Sequence, residues 1–211
     1  MRIDPAGRPF VIGAAALAVA AGVAISTALG AALLALAGVF LFFFRDPERV
    51  VTRSPGAVLA PADGRVMVAG APTARDFPAA DWQQISIFLS PVDVHVNRMP
   101  VDGRVVKVRY HPGRFLPAYR ADAGDLNEYT EVWIDHGGRP VVVRQIVGIL
   151  ARRIVCRTSE GAEVRAGDRF GVMKFGSRMD VFVPALARIA VGVGDRVLGA
   201  VTVIATLPAD E

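Results

Sequence analysis

From Phe10 to Phe44 the chain carries no charged residue, and only Ser26, Thr27 and scattered glycines interrupt the apolar run. As one helix rising ~1.5 Å per residue, this stretch would reach roughly 50 Å. A bilayer's hydrocarbon core is only ~30 Å thick and needs ~20 residues to cross. The weak stretch from Gly22 to Gly30 divides the run, which predicts two helices near 10–25 and 28–44 folded as a hairpin. Each half is short for a full crossing, so a spanning hairpin and a shallow re-entrant one both fit. Arg2 and Arg8 flank one end, and Arg45, Arg49 and Arg53 the other. Positive charge at both ends places both on the cytoplasmic side of a cell membrane. The phenylalanines at 40, 42, 43 and 44, followed by arginine, suit an interfacial boundary. A cleaved signal peptide is the rival reading, but its apolar region is only ~7–15 residues.

After residue 54 the pattern changes to short Val/Ile-rich runs separated by Gly, Pro and Asp turns. These predict strands at 58–60, 65–69, 85–89, 104–110, 129–134, 141–149, 152–157, 169–175, 179–183 and 196–205. No long stretch there keeps a 3.6-residue apolar period. The expected fold is mainly β: a compact sandwich or barrel-like domain over 54–211, preceded by a hairpin and linker over 1–53. Ser54-Pro55-Gly56 marks the junction. Asp63-Gly64-Arg65-Val66 and Asp102-Gly103-Arg104-Val105 echo each other, and Asp-Gly ahead of a β run is a hairpin signal. Gly-Asp turns at 167–168 and 194–195 form a second echo, of a kind found in tightly wrapped biotinyl and lipoyl domains.

Composition sharpens this picture. The 211 residues are 53% hydrophobic, with a net charge of +4, a pI of 9.8 and a mean hydropathy of +0.40. A basic balance suits nucleic acid or an anionic membrane equally; the apolar N-terminus favours the membrane over nucleic acid. The single cysteine, Cys156, excludes an intrachain disulfide and any multi-cysteine metal site. No metal is expected.

The stretch Phe175-Gly176-Ser177-Arg178-Met179-Asp180 carries candidate chemistry. A serine hydroxyl beside the Gly176 carbonyl, once deprotonated, can attack it and turn the amide into an ester. Elimination would then break the chain and leave dehydroalanine, which hydrolyses to a pyruvoyl group. A plain Gly-Ser turn is the alternative. The attack needs a base. His136 sits in an Asp-His-Gly-Gly hairpin tip, and His111 precedes Pro112-Gly113. His95 lies where alternation puts Asp93, His95 and Asn97 on one face, with Val94, Val96 and Arg98 on the other. That polar face, and an imidazole that titrates near neutrality, make His95 the best base.

Gly171-Val-Met-Lys-Phe-Gly176-Ser177-Arg-Met-Asp-Val-Phe-Val-Pro184 resembles the self-cleavage region of the phosphatidylserine decarboxylase proenzyme family, short form. Pro61-Ala-Asp63-Gly64 resembles the family's acid segment, and Leu89-Ser-Pro-Val-Asp-Val-His95-Val-Asn-Arg98-Met-Pro100 its histidine segment. Phe44-Arg45-Asp46-Pro47, Tyr110-His-Pro-Gly113-Arg-Phe115 and Asn127-Glu128 fall in family order, so the resemblance covers nearly the whole chain. It implies cleavage between Gly176 and Ser177, with Ser177 as nucleophile, His95 as general base and Asp63 orienting the imidazole. The Asp102 echo leaves Asp63 open as a simple turn. A large chain, 1–176, would remain with a small chain, 177–211, that begins with a pyruvoyl group. This covalent cofactor would form a Schiff base with a serine phospholipid, release carbon dioxide and yield phosphatidylethanolamine. Lys174 and Arg178 flank the site, where they meet the lipid phosphate or are simply solvated. Self-association is left open. The longer enzymes carry a second histidine where this chain has Arg98, which cannot act as a neutral base. The rival functions are a carrier domain, since Val172-Met173-Lys174-Phe175 resembles a biotin attachment site, and a membrane-anchored β scaffold.

Overall fold

The computed structural model describes residues 2–149, 153–174 and 177–208. The ends of two expected strands (Arg152 and Phe175) and Gly176, where cleavage is expected, lie outside them. The chain forms two compact units, Met1–Glu48 and Arg49–Glu211.

In the first unit, α1 (Arg8–Ala24) and α2 (Thr27–Phe43) pack as the expected hairpin. Ser26 caps α2, its Oγ accepting from the Leu29 N–H at 3.2 Å. Small residues let the helices touch: a Cβ on Gly30 would come within 2.7 Å of the Gly22 Cα. Ala14, Ala18, Ala21 and Ala37 are buried at this seam, whereas Leu17, Val19, Val23, Leu34 and Val39 face outward. Helices apolar on their outer face too suit lipid better than water. A 3₁₀ turn at Pro5–Gly7 extends α1 backward, and the 20 residues from Pro5 to Ala24 are long and apolar enough to cross a membrane. α2 is shorter. Arg2–Ile3 pairs antiparallel with Arg45–Asp46, which brings both ends of the hairpin together.

The second unit is built on an open, antiparallel, eight-stranded sheet. Its strands run in the order Glu163–Val164, Gly103–His111, Tyr129–His136, Arg139–Val147, Ser177–Pro184, Trp82–Leu89, Gly64–Gly70, Arg196–Val197. Two three-stranded sheets accompany it: Ile154–Cys156, Arg169–Met173 and Val96–Arg98; and Arg188–Ile189, Val203–Thr206 and Ala57–Leu59. The domain is therefore mainly β, as the sequence predicts, but no barrel closes among the described residues. The tip between Tyr129–His136 and Arg139–Val147 is the predicted two-residue turn, with Gly137 and Gly138 both at positive φ.

One face of the large sheet builds the apolar core. Ile85, Ile87, Leu89, Val141, Val143, Met179, Val181 and Val183 pack there with Met99, Val101, Phe170 and Ile204. The opposite face is not solvated, as simple alternation would have it. It buries Arg144, Glu131, Arg178, Asp180, Gln84 and Ser86. The Arg144 guanidinium bonds Glu131 at 2.6 Å and Asp76 at 2.7 Å, and stacks 4.1 Å over the Tyr129 ring. Burial alone would lower the pKa of Arg144, but Glu131 and Asp76 hold it above the ordinary value. Removing one member of a buried pair costs about 3–5 kcal/mol, whereas replacing both with apolar groups costs far less. Arg144→Leu is therefore expected to destabilise the domain by that amount, and Arg144→Leu/Glu131→Leu by much less, in denaturant unfolding of the detergent-solubilised chain.

Candidate active site

Ser177 begins the central strand of the large sheet, paired with Leu89 on one side and Val147 on the other. Its side chain faces the core layer, it is fully buried, and its Oγ has no hydrogen-bond partner among the described residues. An unsatisfied buried hydroxyl costs about 1–3 kcal/mol, so its retention calls for an explanation.

Two connections bring His95 to the same end of the strand. Leu89, opposite Ser177, leads within six residues to His95; Asp93 folds this segment by accepting from the Ser90 N–H (2.9 Å) and Oγ (2.7 Å). From the other direction, the Met173 N–H, four residues before Ser177, donates to the His95 carbonyl at 3.3 Å. His95 is fully buried, with Nδ1 2.9 Å from the Asp93 carbonyl oxygen. A carbonyl only accepts, so the neutral imidazole carries its proton on Nδ1 and its lone pair on Nε2.

Asp63 sits in the neighbouring segment, where the Pro61 carbonyl accepts from the Arg98 N–H. Its carboxylate accepts from the Gly199 N–H at 2.8 Å and from Arg49 Nη2 at 2.6 Å. The acceptor at Nδ1 is thus the Asp93 carbonyl, while Asp63 is engaged on Arg49 and Gly199. The other histidines lie apart from this arrangement: His111 stacks on Tyr129, and Nδ1 of His136 meets the Asp102 carbonyl. A cleft of about 380 Å³ lined by Thr52, Arg53, Asp102 and His136 includes neither Ser177 nor His95.

The profile of the family described as Phosphatidylserine decarboxylase matches residues 36–205. The chain belongs to the phosphatidylserine decarboxylase family. Proteins named phosphatidylserine decarboxylase proenzyme share much of its sequence. That of Symbiobacterium thermophilum is 44% identical over 203 residues, 96% of this chain and 94% of the relative. That of Mycobacterium avium is 44% identical over 210 residues, covering 98% and 87%. That of Prosthecochloris aestuarii is 43% identical over 168 residues, covering 80% and 77%. The chain is a decarboxylase of this family, and the carrier and scaffold readings fall away.

One residue of this decarboxylase stands differently from its sequence reading. Arg178 is neither solvated nor free for a phosphate: it is 1% exposed and bonds Asp180 bidentately at 2.6 and 3.0 Å, with Ser86 at 3.1 Å. Arg98 Nη1 donates to the Gly167 carbonyl at 3.2 Å. Sequence reasoning singled out neither Gln145, whose Nε2 donates to Asn97 Oδ1 at 2.8 Å beside Ser177, nor Asn97 by itself. The signal was a glutamine inside the apolar run 141–149.

Proposed function

We propose that this chain is a self-processing phosphatidylserine decarboxylase that converts phosphatidylserine, or a related serine phospholipid, to phosphatidylethanolamine and carbon dioxide. Ser177 is the cleavage nucleophile and the source of a pyruvoyl cofactor, and His95 is the general base. The observation that carries this reading is the buried, unpartnered Ser177 hydroxyl in a chain whose relatives are named proenzymes. A pyruvoyl group at this position supplies a carbonyl that takes up the substrate amine and draws electrons from the α-carbon as carbon dioxide leaves. Pairing of residue 177 with both Leu89 and Val147 is suited to holding the new terminus in the sheet once the chain is cut. His95 and Ser177 are both fully buried, which keeps water from competing for the proton. The apolar hairpin anchors the enzyme to the cytoplasmic face of the membrane that contains its substrate. Large chain 1–176 and small chain 177–211 stay together as the working enzyme. The test is the intact mass of purified protein: a 177–211 fragment, blocked to N-terminal sequencing and reducible by borohydride with amine, is expected. A single 22.4 kDa chain that decarboxylates lipid would overturn the reading.

Asp63 is assigned the carboxylate that supports the imidazolium formed when His95 takes the serine proton. Its ion pair with Arg49 makes the alternative a purely structural role. Asp63→Asn is expected to slow release of the small chain by ~10²–10⁴, with Arg49→Ala close to wild type. Equal slowing by both would leave Asp63 as half of an ion pair only.

A further inference from the structure

Three buried polar atoms on the core side of the Ser177 strand have no partner among the described residues: Ser177 Oγ, Asn97 Nδ2 and Gln145 Oε1. Their side chains belong to one neighbourhood. Ser177 is opposite Val147 and Met179 is opposite Gln145, so Ser177 and Gln145 are diagonal neighbours on one face, with Cα atoms ~7–8 Å apart. From there the Gln145 amide reaches across to Asn97, two residues beyond His95. All three residues are fully buried.

The orientation of the amides follows from their surroundings. Gln145 lies 3.5 Å from the Val155 carbonyl, which only accepts, so that end of its side chain is Nε2. Nε2 also donates to Asn97, so the oxygen of Asn97 is the end turned to Gln145. Asn97 is left presenting a buried N–H donor. The backbone opposite makes room for this pair, because a Cβ on Gly171 would come 2.6 Å from Gln145 Nε2.

We propose that Asn97 Nδ2 is the hydrogen-bond donor to the residue-176 carbonyl oxygen as it takes up negative charge during self-cleavage, with Gln145 positioning it. This rests on Ser177 being the cleavage nucleophile. In the first step the Ser177 Oγ–C bond forms, the hydroxyl proton passes to His95, and the carbonyl π electrons move onto oxygen. Collapse of the adduct expels the residue-177 nitrogen, which takes the proton, and leaves an ester. Loss of the Cα proton then breaks the Cβ–O bond, giving dehydroalanine and a carboxylate on residue 176. Water completes the change by releasing ammonia and leaving the ketone. The same oxygen carries charge in the adduct and in the departing carboxylate, so one fixed donor serves both. A donor already oriented and kept from water needs no reorganisation when the charge develops, and loss of one such donor typically costs ~10²–10³ in rate.

The test follows conversion of the full-length chain, made in detergent, into the 177–211 fragment. Asn97→Ala and the isosteric Asn97→Asp are each expected to slow cleavage at least ~100-fold. In a Ser177→Ala background the same substitutions should leave the melting temperature within a few degrees. Gln145→Leu should slow cleavage in the presence of Asn97 and add nothing on top of Asn97→Ala, because it acts through that amide. Hydroxylamine, which cuts esters, should not restore chain cleavage in Asn97→Ala, since the ester fails to form. Cleavage by Asn97→Asp or Asn97→Ala within threefold of wild type would overturn the proposal. So would loss of cleavage only in a variant whose Ser177→Ala counterpart is unfolded. Both outcomes leave the Ser177 reading standing, because the wild-type chain is still cut; a wild-type chain that is never cut defeats that reading instead.

Discussion

Ser177→Ala is expected to remain a single 22.4 kDa chain with no measurable decarboxylation, however long it is incubated. The substitution removes one oxygen that has no hydrogen-bond partner among the described residues, so folding loses nothing by it. Stability should be equal to that of the uncleaved wild type or slightly higher, since an unsatisfied buried hydroxyl is gone. Ladder pairing with Leu89 and Val147 uses the backbone and survives. The combination of a folded chain with no small fragment and no turnover separates a chemical role for Ser177 from a structural one. Ser177→Cys refines the point: a thiolate also attacks carbonyls, so this chain should cut, but more slowly, because burial in apolar surroundings raises a thiol's pKa. Decarboxylation by an uncut Ser177→Ala chain would place the reactive carbonyl elsewhere.

The hairpin was legible in sequence because a membrane-like segment announces itself by the absence of charge, and Ser26 supplied the break. The strands were legible because Val/Ile runs alternate with Gly-Asp and Asp-Gly turns. The first helix nevertheless starts earlier than the apolar pattern, at Arg8 with a 3₁₀ turn from Pro5, since charged residues are tolerated in a first turn. The second face of the large sheet was not legible. A strand such as Ser177–Pro184 reads as alternating, with Arg178 and Asp180 outward. Nothing local says that Phe77, Trp82, Trp133 and Phe182 will stack over that face, or that segments far along the chain will cover its charges. The hint lay in Val141–Ile149, where Arg144 and Gln145 interrupt a run too apolar for a strand with one wet face.

Motif order singled out Ser177 and His95, but the Asp93 carbonyl at the imidazole Nδ1 could not be read, because a backbone carbonyl leaves no mark on a sequence. Arg98 illustrates the opposite case. Its guanidinium cannot act as a neutral base whichever way it faces, so the sequence alone removes it from that role.

His95→Gly should block cleavage and leave a cavity that added imidazole fills. The Asp93 carbonyl that now meets Nδ1 at 2.9 Å would hold a free imidazole in the same tautomer, with its lone pair on the other nitrogen. Partial rescue of cleavage is therefore expected, visible as slow appearance of the 177–211 fragment. Once imidazole is dialysed away, the cut enzyme retains its modified terminus but lacks the group that returns a proton to the substrate α-carbon. General acid–base assistance is worth ~10²–10⁴, so turnover should be at least ~100-fold below wild type and return with imidazole. Arg98 Nη1 bonds the Gly167 carbonyl and His111 stacks on Tyr129, so both steps are proposed for His95. Near-normal turnover after dialysis would confine His95 to cleavage, and His111, whose Nε2 is buried without a partner among the described residues, would be the first donor to test.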